Sequence, residues 1–124
     1  MKRILVAEDD LVISKLYQLH FKRNDLHGSF FTTGDGVIQS AKHQRPDLVI
    51  LDFELPGLSG PQVMQELHQI PGCEDVPVVF VTGRATVEVI ETLRQAGARE
   101  VFGKPFSPIQ LIHIITQLTT SMGE

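Results

Sequence analysis

Residues 49–57 read VILDFELPG. Val49, Ile50 and Leu51 run straight into Asp52, and Pro56-Gly57 then turns the chain. A short continuous apolar run bounded by turn residues reads as a strand buried on both faces, as in parallel sheets. A carboxylate is costly to bury unless it is paired or metal-bound. Asp52 is therefore either a turn residue or a working group held at the rim of a sheet, and its surroundings have to decide.

Outward from this stretch, apolar runs alternate with helical patterns. ILVA (4–7), SFFTT (29–33), LVIL (48–51), VPVVFVT (76–82) and EVF (100–102) read as strands. Between them, residues 12–23 carry Val12, Ile13, Leu16, Leu19 and His20 at helical spacing, and residues 35–44 carry Val37, Ile38 and Ala41. Residues 59–70 carry Val63, Met64, Leu67 and Ile70, with Ser59 and Gln62 at capping-box spacing and Pro61 in the first turn. Residues 86–96 carry Val89, Ile90, Leu93 and Ala96, closed by Gly97, and residues 108–121 form the last helix. Five strand-then-helix units predict an α/β fold, a doubly wound parallel sheet with helices on both faces and right-handed crossovers. At this length the compact arrangements are a Rossmann half or a flavodoxin-like (βα)5 sheet of strand order 2-1-3-4-5.

The bulk numbers agree. The chain has 124 residues, 42% of them apolar, enough for one domain with a real core. A net charge of −4, without clustered Lys or Arg, argues against direct nucleic-acid binding. No apolar run approaches a membrane span, and the N-terminal run is too short for a signal peptide. A single cysteine, Cys73, excludes an internal disulfide framework and fits a reducing, cytoplasmic setting. It reads as a small, partly buried loop residue.

In open α/β sheets ligands sit outside the carboxyl ends of the strands. Those ends carry Glu8-Asp9-Asp10, Asp52, Thr82 and Lys104-Pro105. Each has an ordinary reading: Asp10 as a helix cap, Asp9 as a turn residue, Thr82 as a strand former, Lys104 as a solvated charge. Together they converge on one rim, and in the flavodoxin-like order Glu8 and Asp9 come close to Asp52. Converging carboxylates raise each other's pKa, and a divalent cation resolves the repulsion. Oxygen ligands without His or Cys point to Mg²⁺. A carboxylate can attack phosphorus, the metal can neutralise developing charge, Lys104 can hold a phosphoryl oxygen and Thr82 can donate to another. Phosphoryl transfer needs mainly positioning and charge stabilisation. The set offers no obvious general base, so the phosphorylated product would persist as a signal.

ILVAEDD, LVILDFELPGLSG, VVFVTG and GKPF, in this order and spacing, resemble a response-regulator receiver domain of two-component signalling, and the resemblance runs from Lys2 to the last helix. It implies that Asp52 is the phosphoacceptor and that Asp9, Asp52 and the backbone carbonyl of Glu54 bind Mg²⁺, with Glu8 acting through water. It implies that Thr82 is the switch hydroxyl, that Lys104 contacts the phosphoryl group and that the Lys104–Pro105 bond is cis. The donor would be a sensor histidine kinase or a histidine phosphotransfer protein, and the effector is left open. Residues 1–124 then form one receiver domain, either stand-alone or cut from a longer chain.

The match departs at one place. Receiver domains usually carry an aromatic three residues before the lysine; here that position is Val101, with Phe102 beside it. Output would then rely on backbone movement of residues 82–88, or on a different surface. Glu54 and Arg84 flank the site, and the Glu54 charge should make the site lean more on metal. The last helix carries Ile109, Leu111, Ile112, Ile114, Ile115 and Leu118, more than one apolar stripe. The excess is either burial or a homodimer surface. One rival reading is a Mg²⁺-dependent aspartyl-phosphate phosphatase or phosphotransferase of the haloacid-dehalogenase type. That type wants a second Asp where Glu54 stands, a nucleophile after the first strand and a cap insertion. A flavin binder would want a Ser/Thr/Gly-rich phosphate loop where EDD stands. A degenerate receiver that only binds would keep most of these residues.

Overall fold

The computed structural model describes residues 2–120. Strands β1 (Ile4–Ala7), β2 (Gly28–Phe31), β3 (Leu48–Asp52), β4 (Val78–Thr82) and β5 (Glu100–Gly103) alternate with helices α1 (Leu11–Arg23), α2 (Gly34–His43), α3 (Gly60–His68), α4 (Val87–Gln95) and α5 (Pro108–Thr120). All strand pairs are parallel, in the order β2-β1-β3-β4-β5, which is the flavodoxin-like arrangement rather than the Rossmann half.

The strands are apolar throughout because each is covered twice. Leu5, Ala7, Val49, Leu51, Val78, Phe80 and Val101 face α2, α3 and α4. Ile4, Val6, Leu48, Ile50, Val79 and Val81 face α1 and α5. The period of two along each strand sorts side chains into these layers. Val101 is buried in the first layer, while Phe102 packs half-buried in the second. No aromatic therefore stands at that β5 position on the α4 side.

Helix ends follow local chemistry. Asp10 caps α1, its Oδ1 accepting from the N–H groups of Val12 (2.9 Å) and Ile13 (3.2 Å). Ser59 and Gln62 form the expected reciprocal box at α3. Gly97, at φ 116°, takes the left-handed turn that ends α4. The Lys104–Pro105 bond is cis.

Some boundaries and one face differ from expectation. Strand β4 starts at Val78 rather than 76, since Pro77 has no N–H to give the ladder; its carbonyl still accepts from Val49. Strand β2 ends at Phe31 because Thr33 already serves as the α2 N-cap. Helix α3 stops at His68, and Ile70 packs beyond it. The expected last residue of α5, Ser121, lies outside the described residues. The larger correction concerns α1. Its buried face is Ser14, Tyr17 and Phe21, while Val12 (71%), Leu16 (44%) and Leu19 (43%) are exposed. Two rings four residues apart bury more area than the aliphatic row, so they take the core. In α5 the apolar excess reduces to Ile109, 84% exposed; Ile112, Ile114 and Leu118 are half-buried against the core.

One glycine couples helix to rim. A methyl at Gly60, the first residue of α3, would run into the Asp52 carbonyl and come within 2.7 Å of the Phe80 ring. Gly60→Ala should therefore lower stability by roughly 1–3 kcal/mol, read as a lower urea midpoint at unchanged m-value.

Candidate functional site

The register builds the site. Ala7 pairs with Leu51, so Glu8 leaves β1 beside Asp52 at the end of β3. Thr82 pairs with Gly103, which sets Lys104 one step beyond β5, its N–H donating to the Thr82 carbonyl at 2.8 Å. Glu8, Asp52 and Thr82 are buried (1%, 6% and 0% exposed), whereas Asp9 is exposed at the mouth.

Lys104 crosses the site. Its Nζ donates to Asp52 Oδ2 at 2.7 Å and, at 3.4 Å, to Glu8 Oε2. Nζ also lies 3.1 Å from Glu8 Oε1, close enough for an ion pair but outside hydrogen-bond geometry. That oxygen is buried without a donor. Glu8 Oε2 accepts from the Asp10 N–H at 3.1 Å, and Asp52 Oδ1 from the Glu54 N–H at 3.1 Å. Thr82 Oγ1 accepts from the Arg84 N–H at 2.9 Å, leaving its own proton to give away. Above the site Arg84 pairs with Glu54 at 3.4 Å. Both side chains are well exposed, so the pair contributes little to stability, but it offsets the charge expected of Glu54 alone.

Burial pushes the Glu8 carboxyl up to about 7; the Asp10 N–H opposes this, and the neighbouring Asp52 charge adds to it. Burial alone would lower the Lys104 ammonium, but the hydrogen bond and charge of Asp52, then those of Glu8, hold it above its ordinary value.

One carboxylate oxygen each from Glu8, Asp9 and Asp52 lies within 4.8 Å of the others. All-oxygen ligands, excess negative charge and an undonated buried oxygen suit a hard divalent cation such as Mg²⁺. The structure thus brings together Glu8, Asp9, Asp52, Thr82 and Lys104, with Glu54 at the edge. Sequence reasoning missed the ring stack of Tyr17 on Phe106 beside Lys104. The alternative α1 face, Tyr17 and Phe21 at i and i+4, was the signal that could have found it.

The family model for the response regulator receiver domain matches residues 4–116. The chain belongs to the response-regulator receiver family. Its acidic cluster of Glu8, Asp9 and Asp52 fits the phosphoacceptor site of that family. The chain is 32% identical to the phosphate regulon transcriptional regulatory protein PhoB of Escherichia coli over 111 residues, 90% of this chain and 48% of PhoB. It is also 32% identical to the DNA-binding response regulator MtrA of Mycobacterium tuberculosis over 112 residues, 90% of this chain and 47% of MtrA. The chain spans about half the length of these curated relatives. Among solved structures it resembles the receiver domain of the sensor histidine kinase PA1611 of Pseudomonas aeruginosa (TM-score 0.88, 26% identity, 97% of this chain and 98% of that one). That domain holds a magnesium ion in its active-site cleft.

A carboxyl whose folded pKa exceeds its unfolded value adds stability below its ordinary 4.5 and loses it as pH rises through about 7. Without divalent cation, Glu8→Gln should therefore stabilise the protein at pH 8 by roughly 1–3 kcal/mol and have little effect at pH 5. Urea melts at both pH values in EDTA check this; Mg²⁺ should shrink the pH 8 difference.

Proposed function

We propose that Asp52 accepts a phosphoryl group from a phosphohistidine on a sensor kinase or phosphotransfer protein, and that residues 1–124 act as one receiver domain. The observation that carries this reading is Lys104 Nζ held 2.7 Å from Asp52 Oδ2 at the rim where Glu8 and Asp9 converge. An Asp52 carboxylate oxygen attacks phosphorus in line, a P–O bond forms, and the P–N bond to the donor imidazole breaks. Lys104 holds one phosphoryl oxygen and Thr82 donates its hydroxyl proton to another. Asp9, Asp52 and the Glu54 carbonyl would hold Mg²⁺, with Glu8 acting through water, and the bound ion would supply charge neutralisation for the phosphoryl group. Asp52 acts as a stoichiometric acceptor rather than a turnover catalyst, because Glu54, the carboxylate at the edge of the rim, is paired with Arg84 rather than left to activate a water. The rival phosphatase reading is not favoured by the family match.

The absence of an aromatic at Val101 leaves output to the backbone. Thr82 ends β4, and α4 beyond it buries only Leu93 fully, so movement of residues 82–88 meets little packing resistance. Ile109, exposed beside Phe102 and Ile114, supports a homodimer contact through the last helix. No described helix is long and apolar enough to cross a membrane, which supports a cytoplasmic setting.

Intact mass after incubation with Mg²⁺ and acetyl phosphate tests the assignment. Wild type should gain one phosphoryl mass; Asp52→Asn, and wild type in EDTA, should gain none. Failure with small donors and with phosphorylated histidine kinases alike would leave a receiver that only binds. Structures with and without a phosphoryl mimic test the output route, and an unmoved 82–88 backbone would overturn it.

A further inference from the structure

The segment between β5 and α5, residues 104–107, carries Lys104 and is tied by backbone bonds at its two ends, from the Lys104 N–H to the Thr82 carbonyl and from the Leu111 N–H to the Ser107 carbonyl. Pro105 and Ser107 are exposed, and Gly103 precedes the lysine. Its inward anchor is Phe106. That ring stacks on Tyr17 of α1, centroids 4.9 Å apart and planes 17° apart. Tyr17 is 1% exposed and meets Phe21 edge-on at 6.4 Å, and Phe21 in turn tilts against Phe30 of β2 at 5.4 Å. A row of four rings thus runs from the Lys104 turn across α1 to the edge of the sheet. Tyr17 also lies within the field of the site: burial pushes its phenol upward, and the Glu8 and Asp52 charges add to that.

A lysine stem has four rotatable bonds, so where its ammonium rests depends on how firmly its backbone is held. Pro105 fixes one dihedral immediately after Lys104. Phe106, the next residue, is clamped by a ring that packing cannot move without disturbing α1. We propose that Tyr17 and Phe106 are positioning residues for phosphoryl transfer, their stack fixing the turn that aims Lys104 at Asp52. The proposal rests on the phosphoacceptor reading, and it explains why α1 gives its core face to a tyrosine while leaving an aliphatic row in water.

The test compares Phe106→Leu, Tyr17→Leu and Tyr17→Phe. Phe106 is only half-buried, so its leucine variant keeps the test open if Tyr17→Leu fails to fold. A crystal structure of Phe106→Leu reads the Lys104 Nζ–Asp52 separation with no phosphorylation needed. Phosphorylation by saturating acetyl phosphate and Mg²⁺ is followed by intact mass, and Mg²⁺ half-saturation by calorimetry. Both leucine variants should slow the saturating rate by about 10- to 100-fold, as for misplaced catalytic groups. Tyr17→Phe, which keeps the ring, should stay within about twofold of wild type. Mg²⁺ half-saturation should not weaken in any of them, as it would if the rim were generally distorted. An unmoved Lys104, or a wild-type rate in Phe106→Leu, overturns the proposal. A wild type that never accepts phosphate, together with a displaced Lys104 in Phe106→Leu, would sink the phosphoacceptor reading, and with it the role in transfer, while showing that the stack still places Lys104 beside Asp52.

Discussion

Two carboxylates at the ends of adjacent parallel strands, bridged by one lysine, are the constraint on which this molecule turns. Glu8 and Asp52 are nearly out of water, and each would repel the other if left alone. Lys104 sits between them and pairs with both, so three elements far apart in sequence are tied at one point. One lysine cannot satisfy four carboxylate oxygens. Glu8 Oε1 stays without a donor, and its carboxyl drifts toward the neutral form. An unsatisfied group of this kind costs the fold stability, and it leaves an oxygen at the rim that suits a divalent cation.

The remainder of the fold serves to hold that contact still. Strands covered on both faces leave the rim little freedom, and the register sets Glu8 and Asp52 side by side. Gly60 lets α3 begin directly against the Asp52 carbonyl, where any side chain would collide. The backbone bond from Lys104 to Thr82 joins the lysine turn to the hydroxyl strand. The elements around the site differ in how firmly they are held. The ring row anchors α1 to the Lys104 turn, while α4 buries only Leu93 fully and packs Val89 and Ile90 partly against the core. An anchored Lys104 side and a more loosely packed α4 side would suit the switch proposed above.

Membership of the receiver family sets the chemistry, and the relatives show how differently it is used. PhoB and MtrA are about twice as long as the matched region, and the PA1611 domain belongs to a sensor kinase. What this chain does with its signal depends on surfaces those names do not describe. Among the described residues, the exposed large apolar side chains are Leu11, Val12, Leu16 and Leu19 on α1, Val87 on α4 and Ile109 on α5.

The sequence by itself determined the layered architecture, because buried parallel strands write continuous apolar runs and the helices between them write their own period. It also determined the rim residues, because function in this class of sheet collects at strand ends, and Asp52, Thr82 and Lys104 stand at three of them. Local signals such as Asp10, the Ser59–Gln62 box and Gly97 were legible for the same reason: their partners lie within four residues. Tertiary structure alone decided which face of α1 is buried. Leu16 and Leu19 form as good a helical stripe on paper as Tyr17 and Phe21, and only the space beneath α1, shaped by Phe30 and Phe106, prefers rings. It also decided that Lys104 divides itself between Glu8 and Asp52, that Arg84 reaches Glu54, and that one Glu8 oxygen is left over. Each of those depends on a distance between residues remote in sequence, which no periodicity records.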